Sequence, residues 1–220
     1  MALGIHWEWR GFGILSSEFA FRYSALEPQF PRQSVEDRYL WAPKLEVNVK
    51  VRDIPAEPFK FKRLLNKDGH LEQWAERPSD IYRFPLDKVG WEALAGTMAA
   101  ADLVLGPYPA GTVDAERTLA ELERAGARTV TVHKQRASRL WPGPNGQVKV
   151  EWACILSPQP LITIGLETWD ADPEGPGLSD EQAKADIRAA IQALGLHDEP
   201  LKALNYVEAV AVWATGRTIS

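Results

Sequence analysis

Cysteine is nearly missing from this sequence, with Cys154 the sole example. An intramolecular disulfide is therefore impossible, and a zinc site built on several thiolates is excluded. The segment Val150-Glu151-Trp152-Ala153-Cys154-Ile155 reads as a strand in which the thiol packs as a small apolar group. Long apolar runs are missing as well. No stretch approaches the ~20 residues a membrane helix needs, and no charged-then-apolar leader opens the chain. The expectation is a soluble, cytoplasmic protein with no membrane partner. A basic excess is also lacking: the net charge is −5, which argues against a partner such as a nucleic acid duplex. Apolar and charged fractions are ordinary for a globular chain, so disorder is not the default.

What the sequence does have is strands with an unusual polar face. Ile5, Trp7 and Trp9 alternate with His6, Glu8 and Arg10, the period-two pattern of a strand with two unlike faces. The same pattern returns where Glu46, Asn48, Lys50 and Arg52 alternate with Val47, Val49 and Val51. Such faces are either fully solvated or line a charged interior. Strands are read at Ser34–Trp41, which carries Arg38, at Leu45–Arg52, at Phe59–Leu65 with Lys60 and Lys62 on one side, and at Leu71–Glu76 with Glu72 and Glu76. Pro28 and Pro31 are expected to make the stretch before Ser34 a loop, and Ser16–Tyr23 reads as a short helix or strand.

Asp87 caps a helix over Lys88–Ala101, and Asp114 caps another over Ala115–Ala125, closed by Gly126. Strands resume at Thr129–Leu140, Gln147–Leu156 and Leu161–Thr168, the first two joined by the turn Pro142-Gly143-Pro144-Asn145-Gly146. Pro173–Gly177 reads as a loop. A periodic helix then runs from Ser179-Asp180-Glu181 to Leu194 and ends at Gly195. The tail after Pro200 reads as helix or strand. The organisation is a single domain over 1–220: a strand block at 1–86, helices at 87–126, a second strand block at 127–170, and a C-terminal helix and tail at 171–220. The fold class is α+β, a closed or strongly curved antiparallel sheet whose apolar face meets outer helices and whose polar face lines a lumen.

The order and spacing of these charged strands resemble the CYTH, or triphosphate tunnel metalloenzyme, superfamily. His6-x-Glu8-x-Arg10 matches its first-strand Glu-x-Glu-x-Lys hallmark, with His6 replacing the first glutamate and Arg10 the lysine. Lys50-x-Arg52, Lys60-x-Lys62 and Lys134-x-Arg136 resemble its basic pairs, and Glu151 and Glu167 stand where it places acidic residues on its last tunnel strands. The final helix and Asn205-Tyr206-Val207-Glu208 resemble its closing segment. The resemblance implies a β-barrel tunnel and hydrolysis of a triphosphate or related phosphorylated anion with Mg²⁺ or Mn²⁺. It makes Glu8, Arg10 and Glu167 the catalytic candidates.

The residues read alone point the same way. A triphosphate needs many Lys and Arg donors, and two cations spaced two apart on a strand point into one lumen. Arg10, Arg38, Lys50, Arg52, Lys60, Lys62, Lys134 and Arg136 are the candidate donors. Glu8, Glu151 and Glu167, with His6 as a further nitrogen donor, are the candidate metal ligands. His133, one residue from Lys134, belongs on the opposite face. The rival reading is a non-catalytic polyanion-binding protein whose metal set has decayed. Seven of the tryptophans could also form a stacking platform, but no spacing rule selects them. Nothing marks the organic part of a substrate, and a homodimer is compatible with the sequence.

Overall fold

The computed structural model describes residues 4–53, 58–169 and 177–220. Most of the turn expected at 53–58, and the loop expected at 173–177 apart from Gly177, lie outside the described residues. The elements follow in order as β1 (Ile5–Gly13), α1 (Ser17–Ser24), β2 (Glu27–Trp41), β3 (Val47–Arg52), β4 (Phe59–Asp68), β5 (Leu71–Ala75), a 3-10 turn (Pro78–Asp80) and β6 (Ile81–Tyr82). Then come α2 (Lys88–Ala99), α3 (Ala115–Arg124), β7 (Arg128–Pro142), β8 (Gln147–Ser157), β9 (Leu161–Trp169), α4 (Asp180–Leu194), β10 (Leu201–Ala203) and α5 (Tyr206–Ala214).

Neighbouring strands run in the order β1-β5-β4-β3-β2-β7-β8-β9, and β1 pairs again with β9, which closes eight antiparallel strands into a barrel. Closure leaves those eight without an unpaired edge. β6 adds to β4 and β10 to the far end of β1. The two longest strands, β2 and β7, pair from Glu27↔Leu140 to Trp41↔Arg128. Pro28 and Pro31, expected to enforce a loop, sit inside β2. Register shifts between Pro28 and Phe30 and between Phe30 and Gln33 take up the ladder bonds that proline cannot donate.

The apolar face of each strand decides where the helices go. Val49, Val51, Phe59 and Phe61 are buried on the outside of β3 and β4 against Trp91, Leu94 and Met98 of α2 and Leu119 and Leu122 of α3. On the opposite flank Trp7, Trp9, Val148, Val150, Ile164 and Leu166 pack under Phe19 of α1 and Ile187, Ala190 and Leu194 of α4. Each buried Val, Leu, Ile, Phe or Met among them contributes about 1.5–3 kcal/mol by leaving water. A third cluster closes one end of the barrel. There Phe12, Tyr39, Val130, Val132 and Ile155 meet Tyr206, Val210 and Trp213 of α5.

The helix ends follow their local chemistry. Ser179 and Gln182 form a reciprocal capping box at α4, and Gly195 ends it at φ 67°, a conformation that favours glycine. Asn205 and Glu208 form the same box at α5, so the tail contains both a short strand and a helix. No described helix is long and apolar enough to cross a membrane.

Candidate functional site

Alternation turns the polar face of each barrel strand inward, and strand pairing sets who meets whom. Glu8 stands opposite Glu167 across β1 and β9, and Arg10 stands opposite Gly165. Lys149 and Glu151 on β8 stand opposite Glu167 and Gly165 on β9. Arg52 of β3 faces Asp37 of β2, Lys50 faces Tyr39, and Lys60 of β4 faces Lys50. The lumen is thus built from residues scattered over nearly the whole chain.

On the wall formed by β1, β8 and β9, each carboxylate is engaged by cations. Glu8 accepts from Arg10 Nε at 3.0 Å and from Lys62 Nζ of β4 at 2.9 Å. Burial alone would push its carboxyl up, but Lys62 and Arg10 outweigh that and hold it well below the usual carboxylate range. Glu151 accepts from Arg136 at 3.0 Å and Arg10 at 3.3 Å. Glu167 accepts from Lys149 at 2.6 Å. Burial opposes its ionisation, yet Lys149 and Lys62 bring it down to about 2. Arg10 is the hub of this wall. It also donates to Thr163 Oγ1 at 3.3 Å, and its guanidinium lies 4.9 Å from the centroid of the Tyr206 ring. Gly165 makes the room: a Cβ there would overlap the Arg10 guanidinium.

The wall formed by β2, β3 and β7 has one carboxylate, Asp37, which is fully buried. Arg52 grips it as a fork, Nε to Oδ1 at 2.7 Å and Nη2 to Oδ2 at 3.0 Å. Lys134 reaches Oδ2 at 2.9 Å, and Lys50 lies 3.6 Å from the same oxygen. Lys134 also donates to Tyr206 Oη at 3.0 Å, and the Tyr206 ring stacks on Tyr39 at 5.0 Å. The α5 plug and the basic wall are therefore one packed unit.

Most residues singled out in the sequence share this lumen. Arg38 is the departure. Asp37 and Tyr39 take the inner face of β2, so Arg38 points outward and pairs with Glu36 and with Glu116 of α3, each at 3.0 Å. His133 also lies outside, half exposed, 3.5 Å from Glu36. Glu72 is an ion-pair and capping partner, accepting from Lys67 at 2.8 Å and Asn205 Nδ2 at 2.7 Å. Asp37, Lys149, Gly165 and Tyr206 were not singled out as site residues. Lys149 was legible as the residue two before Glu151, and Asp37 as the acid between Val35 and Tyr39 on a strand face.

The residues do not form a divalent-metal centre as they stand. His6 Nε2 is buried without a hydrogen-bond partner, 3.5 Å from Glu167 and 3.8 Å from Glu8, which is the start of a mixed nitrogen–oxygen donor set. Lys62 and Lys149 occupy those carboxylates, however, and Glu151 is held apart by Arg10 and Arg136. Among the described residues no group of three or more His, Cys, Asp and Glu is placed to hold a metal ion.

No protein-family model and no curated protein matches the sequence. The similarity is to solved structures. A conserved hypothetical protein from Pyrococcus furiosus matches at 17% identity, covering 91% of this chain and 98% of its own, with a TM-score of 0.52. A protein from Pyrococcus horikoshii matches at 16% identity over the same shares, with a TM-score of 0.51. A Hippeastrum protein described as having a dominant triphosphatase activity superposes less well, at 12% identity over 97% of each chain and a TM-score of 0.48. At such identities the likeness is one of architecture. The chain has a CYTH-like fold, a closed antiparallel tunnel with a charged interior and helices packed outside.

Proposed function

We propose that the lumen binds a phosphorylated anion of the triphosphate type and hydrolyses its terminal phosphoanhydride. Mg²⁺ or Mn²⁺ would come with the anion rather than from a preassembled protein site, because Glu8, Glu151 and Glu167 are already engaged by cations. The observation that carries this reading is the convergence of Arg10, Lys50, Arg52, Lys60, Lys62, Lys134 and Arg136, from four strands, on the inner face of one closed barrel. Charge-assisted bonds to phosphate oxygens are strong, and they strengthen where bulk water is excluded.

The internal ion pairs set the order of events. Phosphoryl oxygens compete with Glu8, Glu151 and Glu167 for Lys62, Arg10, Arg136 and Lys149. Carboxylates that lose their cations then sit beside the bound anion, and because those cations are what hold their proton affinity down, it rises as the anion arrives and makes them better proton acceptors. Divalent cations supply charge neutralisation across phosphate oxygens in phosphoryl transfer. Glu8 and Glu167 are the acceptors that orient the attacking water. Its oxygen bonds to the terminal phosphorus as the anhydride P–O bond breaks, its proton passes to Glu8 or Glu167, the shortened polyphosphate leaves, and Arg10 meets the charge that develops.

The test is phosphate release from inorganic triphosphate, ATP and thiamine triphosphate with Mg²⁺ or Mn²⁺. Replacing Glu8→Gln should lower kcat by on the order of 100-fold or more. A second reading, a non-catalytic polyanion-binding protein, is favoured by the lack of an assembled metal cluster among the described residues. No turnover of any substrate, with triphosphate still raising the melting temperature, would select that second reading. A ligand that binds only the folded state stabilises it by about 2.7 kcal/mol at 100 times its Kd. Absence of any shift by any polyanion would remove both.

A further inference from the structure

The cluster around Asp37 holds more donors than one carboxylate can use. An ionised carboxylate offers about two lone pairs on each oxygen. Oδ2 of Asp37 already has Arg52 Nη2 at 3.0 Å, Lys134 Nζ at 2.9 Å and Tyr39 Oη at 3.3 Å. Lys50 reaches the same oxygen only at 3.6 Å, beyond hydrogen-bonding distance, and its ammonium lies 5.6 Å from the centroid of the Tyr39 ring. The three cations are not equivalent. Arg52 is fixed by its fork, and Lys134 by Asp37 and Tyr206 together. Lys50 is the surplus cation, held near an oxygen that three other donors already share.

We propose that Asp37 is the positioning residue of the anion cradle, fixing Arg52 and Lys134 and leaving Lys50 to turn to a phosphoryl oxygen of the bound anion. This rests on the triphosphate-binding reading above and assigns Lys50 a role there that the other lumen cations do not share. A surplus buried cation has a measurable property. The charged groups facing Lys50 are Asp37 from β2, Arg52 on its own strand, Lys60 directly across on β4, and Lys134 and Arg136 from β7, with the Tyr39 ring beside it. Burial lowers its proton affinity most, Asp37 opposes that, and Arg52, Lys134 and Arg136 lower it further, to about 7. Above that pH Lys50 is largely neutral in the empty tunnel, and an arriving polyanion recharges it. Binding there takes up a proton, so affinity falls as pH rises.

The experiment is titration calorimetry of the full chain with inorganic triphosphate between pH 6.5 and 9, in buffers of differing ionisation enthalpy. Wild type is compared with Lys50→Arg, whose guanidinium stays charged throughout. The ionisation of triphosphate itself is common to both proteins and cancels in the comparison. Wild type should take up close to one proton more than Lys50→Arg at pH 8, and its affinity should fall up to about tenfold per pH unit more steeply above pH 7. Asp37→Asn, where it folds, should move the midpoint of this profile to lower pH, because the one carboxylate that favours the charged lysine is gone. Equal proton uptake and equal slopes in wild type and Lys50→Arg would overturn the proposal while leaving triphosphate binding intact. So would a folded Asp37→Asn protein with an unmoved midpoint. No binding by wild type at any pH would overturn this proposal and the functional reading together.

Discussion

The two walls of the tunnel solve the problem of buried charge in opposite ways. The wall of β1, β8 and β9 spreads three carboxylates, Glu8, Glu151 and Glu167, among Arg10, Lys149, Arg136 and Lys62, with Arg10 shared by Glu8 and Glu151. The wall of β2, β3 and β7 gathers Lys50, Arg52 and Lys134 around the single carboxylate of Asp37. Desolvation penalises every one of these charges, and a buried pair is tolerable only when its hydrogen bonds are well made. The first wall is therefore close to balanced, whereas the second keeps an excess of cations. The basic excess of the tunnel therefore lies on the side of β2, β3 and β7.

Removing the keystone of each wall should break the comparison most sharply. Asp37→Leu leaves three cations in an enclosed site without their carboxylate and should cost about 3–5 kcal/mol in urea unfolding. Glu167→Gln removes one carboxylate partner of Lys149 and should cost about 1–3 kcal/mol. Equal losses would mean the walls are not built differently. Next in size is Gly165→Ala. The added methyl overlaps the Arg10 guanidinium, so stability should drop by about 1–3 kcal/mol, and triphosphate should bind more weakly as Arg10 leaves Glu8 and Glu151.

Acid titration sharpens the contrast further. Carboxylates whose folded proton affinity is depressed contribute stability that is fully present above their unfolded value and lost as pH falls through the folded one. For Glu167 that window runs from 4.5 down to about 2. Urea midpoints should stay level between pH 7 and 5 and then fall. The fall should be shallower in Glu167→Gln by up to about 1.4 kcal/mol per pH unit, the value of one proton. The smallest effect belongs to Arg38→Ala. Its pairs with Glu36 and Glu116 lie outside the barrel, so the cost should be no more than about 1 kcal/mol, with triphosphate affinity unchanged. A clear loss of affinity there would undo the assignment of Arg38 to the outer face.

Much of the fold was legible because period-two alternation survives in a single sequence. Trp7 and Trp9 against Glu8, and Val49 and Val51 against Lys50, declare which face is apolar whatever the strand later pairs with. Helix caps such as Asp87, Asp114 and Ser179 were equally local. Reading β2 from its prolines failed because a proline-bearing segment can still pair once register shifts absorb the missing donors. Arg38 was assigned to the lumen on charge alone, although its neighbours Asp37 and Tyr39 already claimed that face.

By itself the sequence determined that several strands carry charge on one side, that helices cover the other, and that Lys and Arg recur in pairs on those charged faces. These are properties of single strands and of residues two apart. Only the tertiary structure decided that the charged faces close on one another, that Arg10 reaches Glu151 across the sheet through the gap at Gly165, and that three cations share Asp37. Those contacts join residues as far as 141 positions apart in the chain. Whether a buried charge is neutralised or in excess depends on partners brought together by barrel closure, a relation that no local pattern in the chain encodes.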